Sequence, residues 1–109
     1  MGDCRLERVC DAGALPPGAM LRVDVEGIGP VALYNVGGEL YASDDTCTHA
    51  EGSLSEGDLD GDVVVCPVHF GFFHVPTGKA LGFPATEDLR VHPVVVDGDS
   101  VFVAAPGGP

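Results

Sequence analysis

The sequence has no tryptophan, a single isoleucine and only five basic side chains, four arginines and Lys79. Against those five stand 17 Asp and Glu, giving a formal net charge of −12. So little positive charge excludes binding to nucleic acid phosphates or anionic lipid headgroups, because both begin with Lys and Arg neutralising negative charge. A basic partner or a small one fits instead. No run approaches the roughly 20 apolar residues that a membrane-spanning helix needs. Met1 to Cys10 alternates polar with apolar residues where an export signal would build an apolar stretch. A cytoplasmic chain is therefore expected, and its four cysteines read better as metal ligands or buried thiols than as disulfides. At 109 residues there is room for one core, and none for a catalytic domain beside a cofactor domain.

What the sequence does have is β composition: 16 valines, and 25 glycines and prolines taken together. The apolar residues fall in short runs without helical period. Strands are expected over Arg5 to Val9, Met20 to Val25, Val31 to Val36, Leu40 to Ser43, Val63 to Val65, Phe72 to Val75, Val91 to Val96 and Ser100 to Val103. Gly37-Gly38 and Asp97-Gly98-Asp99 supply the positive φ angles of tight hairpins. The pattern predicts an all-β fold, a small sandwich or barrel of antiparallel sheets, as a single domain over residues 1–109. Asp44 to Gly61 lacks strand periodicity and is too long for an ordinary hairpin loop, which marks it as functional or disordered. Residues 105–109 read as a frayed tail.

The chemistry concentrates in Cys47-Thr48-His49 and Cys66-Pro67-Val68-His69, with 16 residues between His49 and Cys66. In an extended loop, residues two apart point the same way, so Cys47 and His49 can enter one site. Pro67 presets a turn that brings Cys66 and His69 onto a common face. Structural zinc also accepts two Cys and two His, but its common finger pattern keeps the two types in separate loops. Here each loop mixes them. That arrangement suits a two-iron site with both thiolates on one iron and both imidazoles on the other, which is Rieske ligation.

From Cys47 through His69, with Leu54-Ser55-Glu56-Gly57 between the loops and Phe73 and Thr77-Gly78-Lys79 after them, the sequence resembles the Rieske-type ferredoxins of bacterial aromatic-ring-hydroxylating dioxygenases, of the biphenyl, cumene and toluene dioxygenase kind. The likeness extends more weakly over nearly the whole chain, including Gly82-Phe83-Pro84-Ala85, where this family has a proline-bearing loop that shields the cluster. It implies three stacked antiparallel β-sheets with a cluster-binding subdomain at one tip, its loops spanning about residues 44–85. It implies one [2Fe-2S] cluster on Cys47, His49, Cys66 and His69, with the two histidines nearest the surface. It also implies a monomeric electron carrier, not an enzyme, between an NADH-dependent flavoprotein ferredoxin reductase and a terminal oxygenase. A Rieske subunit of another system, such as a nitrite reductase, and a zinc-stapled interaction module are the alternatives.

High-potential Rieske relatives join the two loops by a disulfide, at positions filled here by Gly52 and Val68. A Ser and a Tyr that donate hydrogen bonds to sulfur in those relatives correspond to Gly71 and Phe73. Neutral imidazoles raise the potential above the roughly −400 mV of plant-type ferredoxins, while missing donors lower it, so a value near the low Rieske limit of about −150 mV is expected. Proton coupling through the ligand histidines should then appear only above neutral pH.

The remaining candidates read as ordinary. Cys4 and Cys10 have no ligand spacing, and His74 and His92 lie in strand-like runs without a second ligand beside them. Phe70, Phe72 and Phe73 could be a docking patch, a shield for the cluster or plain core; alternation puts Phe70 and Phe72 on one face and Phe73 on the other, which divides core from shield and favours shielding over docking. No Lys or Arg occurs from Val23 to Gly78, while Asp44, Asp45, Glu51, Glu56, Asp58, Asp60 and Asp62 surround the loops. These acids form either a plain solvated face or a surface that steers a basic partner.

Overall fold

The structure, a computed structural model, describes residues 4–47, 52–68, 71–82 and 87–106. Ten strands follow one another: β1 (Cys4–Asp11), β2 (Met20–Val25), β3 (Gly29–Val36), β4 (Glu39–Asp44), β5 (Asp58–Asp60), β6 (Val63–Val65), β7 (Phe72–His74), β8 (Val91–His92), β9 (Val94–Asp97) and β10 (Ser100–Pro106). They pair antiparallel into three sheets, ordered β1-β10-β9, β2-β3-β4-β8 and β5-β6-β7. The fold is all-β as expected, and two short 3₁₀ turns, Ala12–Ala14 and Leu54–Glu56, are the helical pieces among the described residues.

β3 explains how three sheets stack. Val31 through Asn35 are all buried, which an alternating strand allows only if both of its faces are covered. Val31 and Leu33 face a core shared with Leu15, Val25, Val103 and Ala105, whereas Ala32 and Tyr34 face a second core with Leu54, Val64, Phe73, Val75 and Leu89. The β2-β3-β4-β8 sheet is therefore the middle layer, with β1-β10-β9 against one face and β5-β6-β7 against the other. Each fully buried Val or Leu contributes about 1.5–3 kcal/mol, so these two interfaces carry the fold.

Both glycine-marked hairpins form as expected. Gly37 and Gly38 take φ of 60° and 102° between β3 and β4, and Gly98 takes 62° between β9 and β10.

Three expectations need correction. The run Val91 to Val96 is two strands: β8 pairs with β4, and β9 pairs with β10 in a different sheet. Pro93 between them has no N–H to give to a ladder, so the chain changes layers there. At the C-terminus β10 runs through Pro106 with Ala105 buried, so the first two residues of the expected tail belong to a sheet, while 107–109 lie outside the described residues. The segment Asp44 to Gly61 is largely ordered too. A narrow ladder links Leu54 N–H to Asp45 O (2.8 Å), Thr46 to Ser53, and Cys47 N–H to Gly52 O (2.9 Å). The Leu54–Glu56 turn follows, and then β5, whose Asp-Leu-Asp sequence holds one apolar residue and so shows no period.

Candidate metal centre

Cys47 and Cys66 stand at the feet of two similar loops. Cys47 ends the narrow ladder and Cys66 follows β6 directly. Each donates its backbone N–H to the carbonyl of a glycine five residues further on, Cys47 to Gly52 at 2.9 Å and Cys66 to Gly71 at 2.8 Å. In sequence, His49 falls within the first loop so closed and His69 within the second, and both lie outside the described residues.

Both cysteines are thiols, exposed by only 4% and 0%, and both belong to the core formed with Ala32, Tyr34, Leu54, Val64 and Phe73. Glycines let the loops meet. A Cβ on Gly52 would lie 2.9 Å from the Cys66 sulfur and 2.9 Å from Val68 Cγ2, so the foot of the first loop rests against the sulfur of the second. At Gly57 a Cβ would lie 2.0 Å from the Val65 carbonyl oxygen, because the turn after Leu54 lies flat on the end of β6 just before Cys66. Packing thus does what a disulfide would do between Gly52 and Val68.

Phe73, fully buried, carries no donor, and Gly71 has no side chain. The nearby phenol of Tyr34, a residue the sequence did not single out, bonds to Ser43 Oγ at 2.7 Å, and Ser43 Oγ donates to Asp44 O at 3.0 Å. Burial pushes the Tyr34 hydroxyl well above the usual tyrosine range; its bond to Ser43 opposes this, and the charges of Asp45, Asp44 and Cys47 add to it. The phenol stays protonated and occupied.

The other candidates resolve individually. His74 Nδ1 meets Thr77 Oγ1 at 2.8 Å and its Nε2 meets Asp62 Oδ2 at 3.0 Å, while His92 Nε2 meets Asp44 Oδ1 at 2.8 Å. Both brace turns or strands. Cys10 lies on β1, across the middle sheet from the loops, and burial raises its thiol above the ordinary range. Phe72 is 43% exposed where Phe73 is buried, as alternation requires; Phe70, Glu51 and 83–85 lie outside the described residues. The acids are not one solvated face. Glu56, Asp58, Asp60 and Asp62 are exposed, but Asp44 is half-buried between Arg90 and His92, and Asp45 is 2% exposed.

Two buried thiols, kept out of disulfides at the feet of adjoining loops whose sequences each contain one histidine, fit the chemistry of a two-iron sulfur cluster: soft sulfur donors inside an apolar core. Fold and site together define an iron–sulfur electron-transfer domain. The chain belongs to the Rieske [2Fe-2S] domain family, whose model matches residues 6–93, and its cofactor is one such cluster. It is 48% identical over 103 residues to the ferredoxin component of biphenyl 2,3-dioxygenase from Rhodococcus jostii, covering 94% of this chain and 95% of that one. It is also 48% identical to ferredoxin CarAc of Metapseudomonas resinovorans, over 89% of this chain and 91% of the other. A chain in the solved complex of reduced oxygenase and oxidised ferredoxin of carbazole 1,9a-dioxygenase superposes with a TM-score of 0.88 at 45% identity, covering 95% of this chain and 96% of that chain. These relatives are ferredoxin components, so the chain is an electron carrier and not itself an enzyme. Among the described residues no helix is long and apolar enough to cross a membrane.

Proposed function

We propose that this chain is a single domain over 1–109, with cluster loops at about 44–85, that carries single electrons in the cytoplasm as a monomer from an NADH-dependent flavoprotein reductase to the terminal oxygenase of an aromatic-ring-hydroxylating dioxygenase. The observation that supports it most is the pair of buried cysteines at the feet of two loops that rest on each other through Gly52. In this reading Cys47 and Cys66 hold one iron and His49 and His69 the other. The bound cluster supplies a site that gains and loses one electron. The chain does the rest: Leu54, Val64 and Phe73 keep water from the sulfur side, and the backbone bonds from Cys47 to Gly52 and from Cys66 to Gly71 fix the two cysteines, so little rearrangement on the sulfur side accompanies transfer.

The surface beside these loops suits brief encounters. Phe72 and Leu81, 43% and 47% exposed and joined by a 3.0 Å bond from Leu81 N–H to Phe72 O, form a small apolar centre. Exposed Glu56, Asp58, Asp60 and Asp62 lie on the elements around it. A small apolar contact with an acidic rim favours fast electrostatic encounter with basic partners over tight binding. In a chain reconstituted with reductase and oxygenase, turnover at limiting carrier should fall several-fold as salt is raised from low to about 0.5 M, since exposed charges are screened over roughly 10 Å already at 0.1 M. Turnover independent of salt would remove the steering role. Failure of the reduced carrier to pass electrons to any ring-hydroxylating oxygenase would remove the partner assignment.

A further inference from the structure

Asp45 is the one buried carboxylate among the described residues, and it stands two residues before Cys47. Its backbone carbonyl accepts Leu54 N–H at 2.8 Å and its N–H donates to Pro30 O at 3.0 Å, so it joins the narrow ladder to β3. Its carboxylate serves the same turn: Oδ1 accepts Ser55 N–H at 2.9 Å, and Oδ2 accepts the Ser53 hydroxyl. Ser53 Oγ also lies 3.0 Å from Ser55 Oγ. One cation approaches, Arg22 of β2, whose Nε lies 3.8 Å from Oδ2. Arg22 is half exposed and also reaches Asp24 at 3.9 Å, so its compensation is incomplete and screened by solvent. A buried carboxylate survives only where donors hold it, and here the donors come from the stretch that closes the Cys47 loop.

We infer that Asp45 is a positioning residue that closes the Cys47 loop and, with Arg22 as its partial counter-charge, holds the potential of the cluster low. Two residues of chain span at most about 7 Å, so the carboxylate lies close to Cys47 in a poorly polarisable interior. A negative charge there opposes arrival of an electron, and a positive charge favours it. The inference rests on Cys47 being a ligand. It adds a separate cause for low potential, beyond the missing hydroxyl donors at Gly71 and Phe73.

The test is the midpoint potential of holoprotein at neutral pH for wild type, Asp45→Asn and Arg22→Gln, with the visible and electron paramagnetic resonance spectra recorded alongside. Asparagine keeps an acceptor for Ser55 N–H and removes the charge. The reduction equilibrium should shift about tenfold toward the reduced form in Asp45→Asn, ~59 mV for one electron. In Arg22→Gln it should shift by a smaller factor the other way. Opposite signs are what charge produces, whereas loosened packing has no reason to reverse sign between two partners of one contact. Equilibria within twofold of wild type in both variants, or shifts of the same sign, overturn the inference while intact Rieske spectra leave the ligand assignment standing. If Asp45→Asn fails to fold, Arg22→Gln, altered at an exposed guanidinium, decides alone: an unchanged or raised potential overturns the inference. Cys47→Ala run in parallel separates the two levels, since a Rieske spectrum retained there would remove the ligand assignment itself.

Discussion

Replacing His69 or His49 with alanine yields a folded protein without a Rieske cluster. The two cores are built from residues such as Val31, Leu33, Tyr34, Val64, Phe73 and Val103, all of which the substitutions leave intact, so the β signal in circular dichroism should persist. The imidazoles are proposed to hold one iron between them, and an iron left with one protein ligand is lost or hydrolysed. Loss of the visible bands and of the reduced-state resonance signal should therefore be complete. His74→Ala and His92→Ala are the matched controls. Their rings are engaged with Asp62, Thr77 and Asp44, so the spectrum should survive with at most about 1 kcal/mol lost per broken hydrogen bond. A Rieske spectrum in His69→Ala would overturn the ligand assignment.

Phe73→Ala should destabilise the protein by about 3–5 kcal/mol, the usual cost of removing a fully buried aromatic ring from a core. Phe73 pairs with Val64 across β6 and β7, and it shares its core with Tyr34 of the middle sheet and with both cysteines. The cavity would open beside the thiols, so faster loss of iron to a chelator should accompany the lower denaturation midpoint. Gly57→Ala tests the same interface from above: its Cβ would meet the Val65 carbonyl at 2.0 Å, and backbone cannot yield cheaply there. Overpacking of this kind costs about 1–3 kcal/mol. Chemical denaturation of the loaded protein measures both, and wild-type stability in Phe73→Ala would contradict the placement of that ring.

Much of this was readable in the chain because valine runs and glycine pairs report strands and hairpins locally. The division of Val91 to Val96 between two sheets was not, since Pro93 could equally have ended a strand at an edge, and nothing local says which sheet each half joins. Nor was Asp45 distinguishable from Asp58 or Asp60. All three are aspartates in polar stretches, and only the fold turns Asp45 inward toward Ser53 and Ser55 while Asp58 and Asp60 face out from β5. The proposed ligands, by contrast, rest on local sequence alone, because metal chemistry constrains spacing: one Cys and one His in each of two short stretches. The close approach of those loops required Gly52 and Gly57, whose role depends on a neighbour remote in sequence.

The most direct test is metal and sulfide analysis of the purified protein with an absorption spectrum before and after dithionite. Two irons and two acid-labile sulfides per chain, with visible bands that bleach and leave a Rieske-type resonance signal, are the expected result. A colourless protein holding one zinc, unchanged by dithionite, would contradict it.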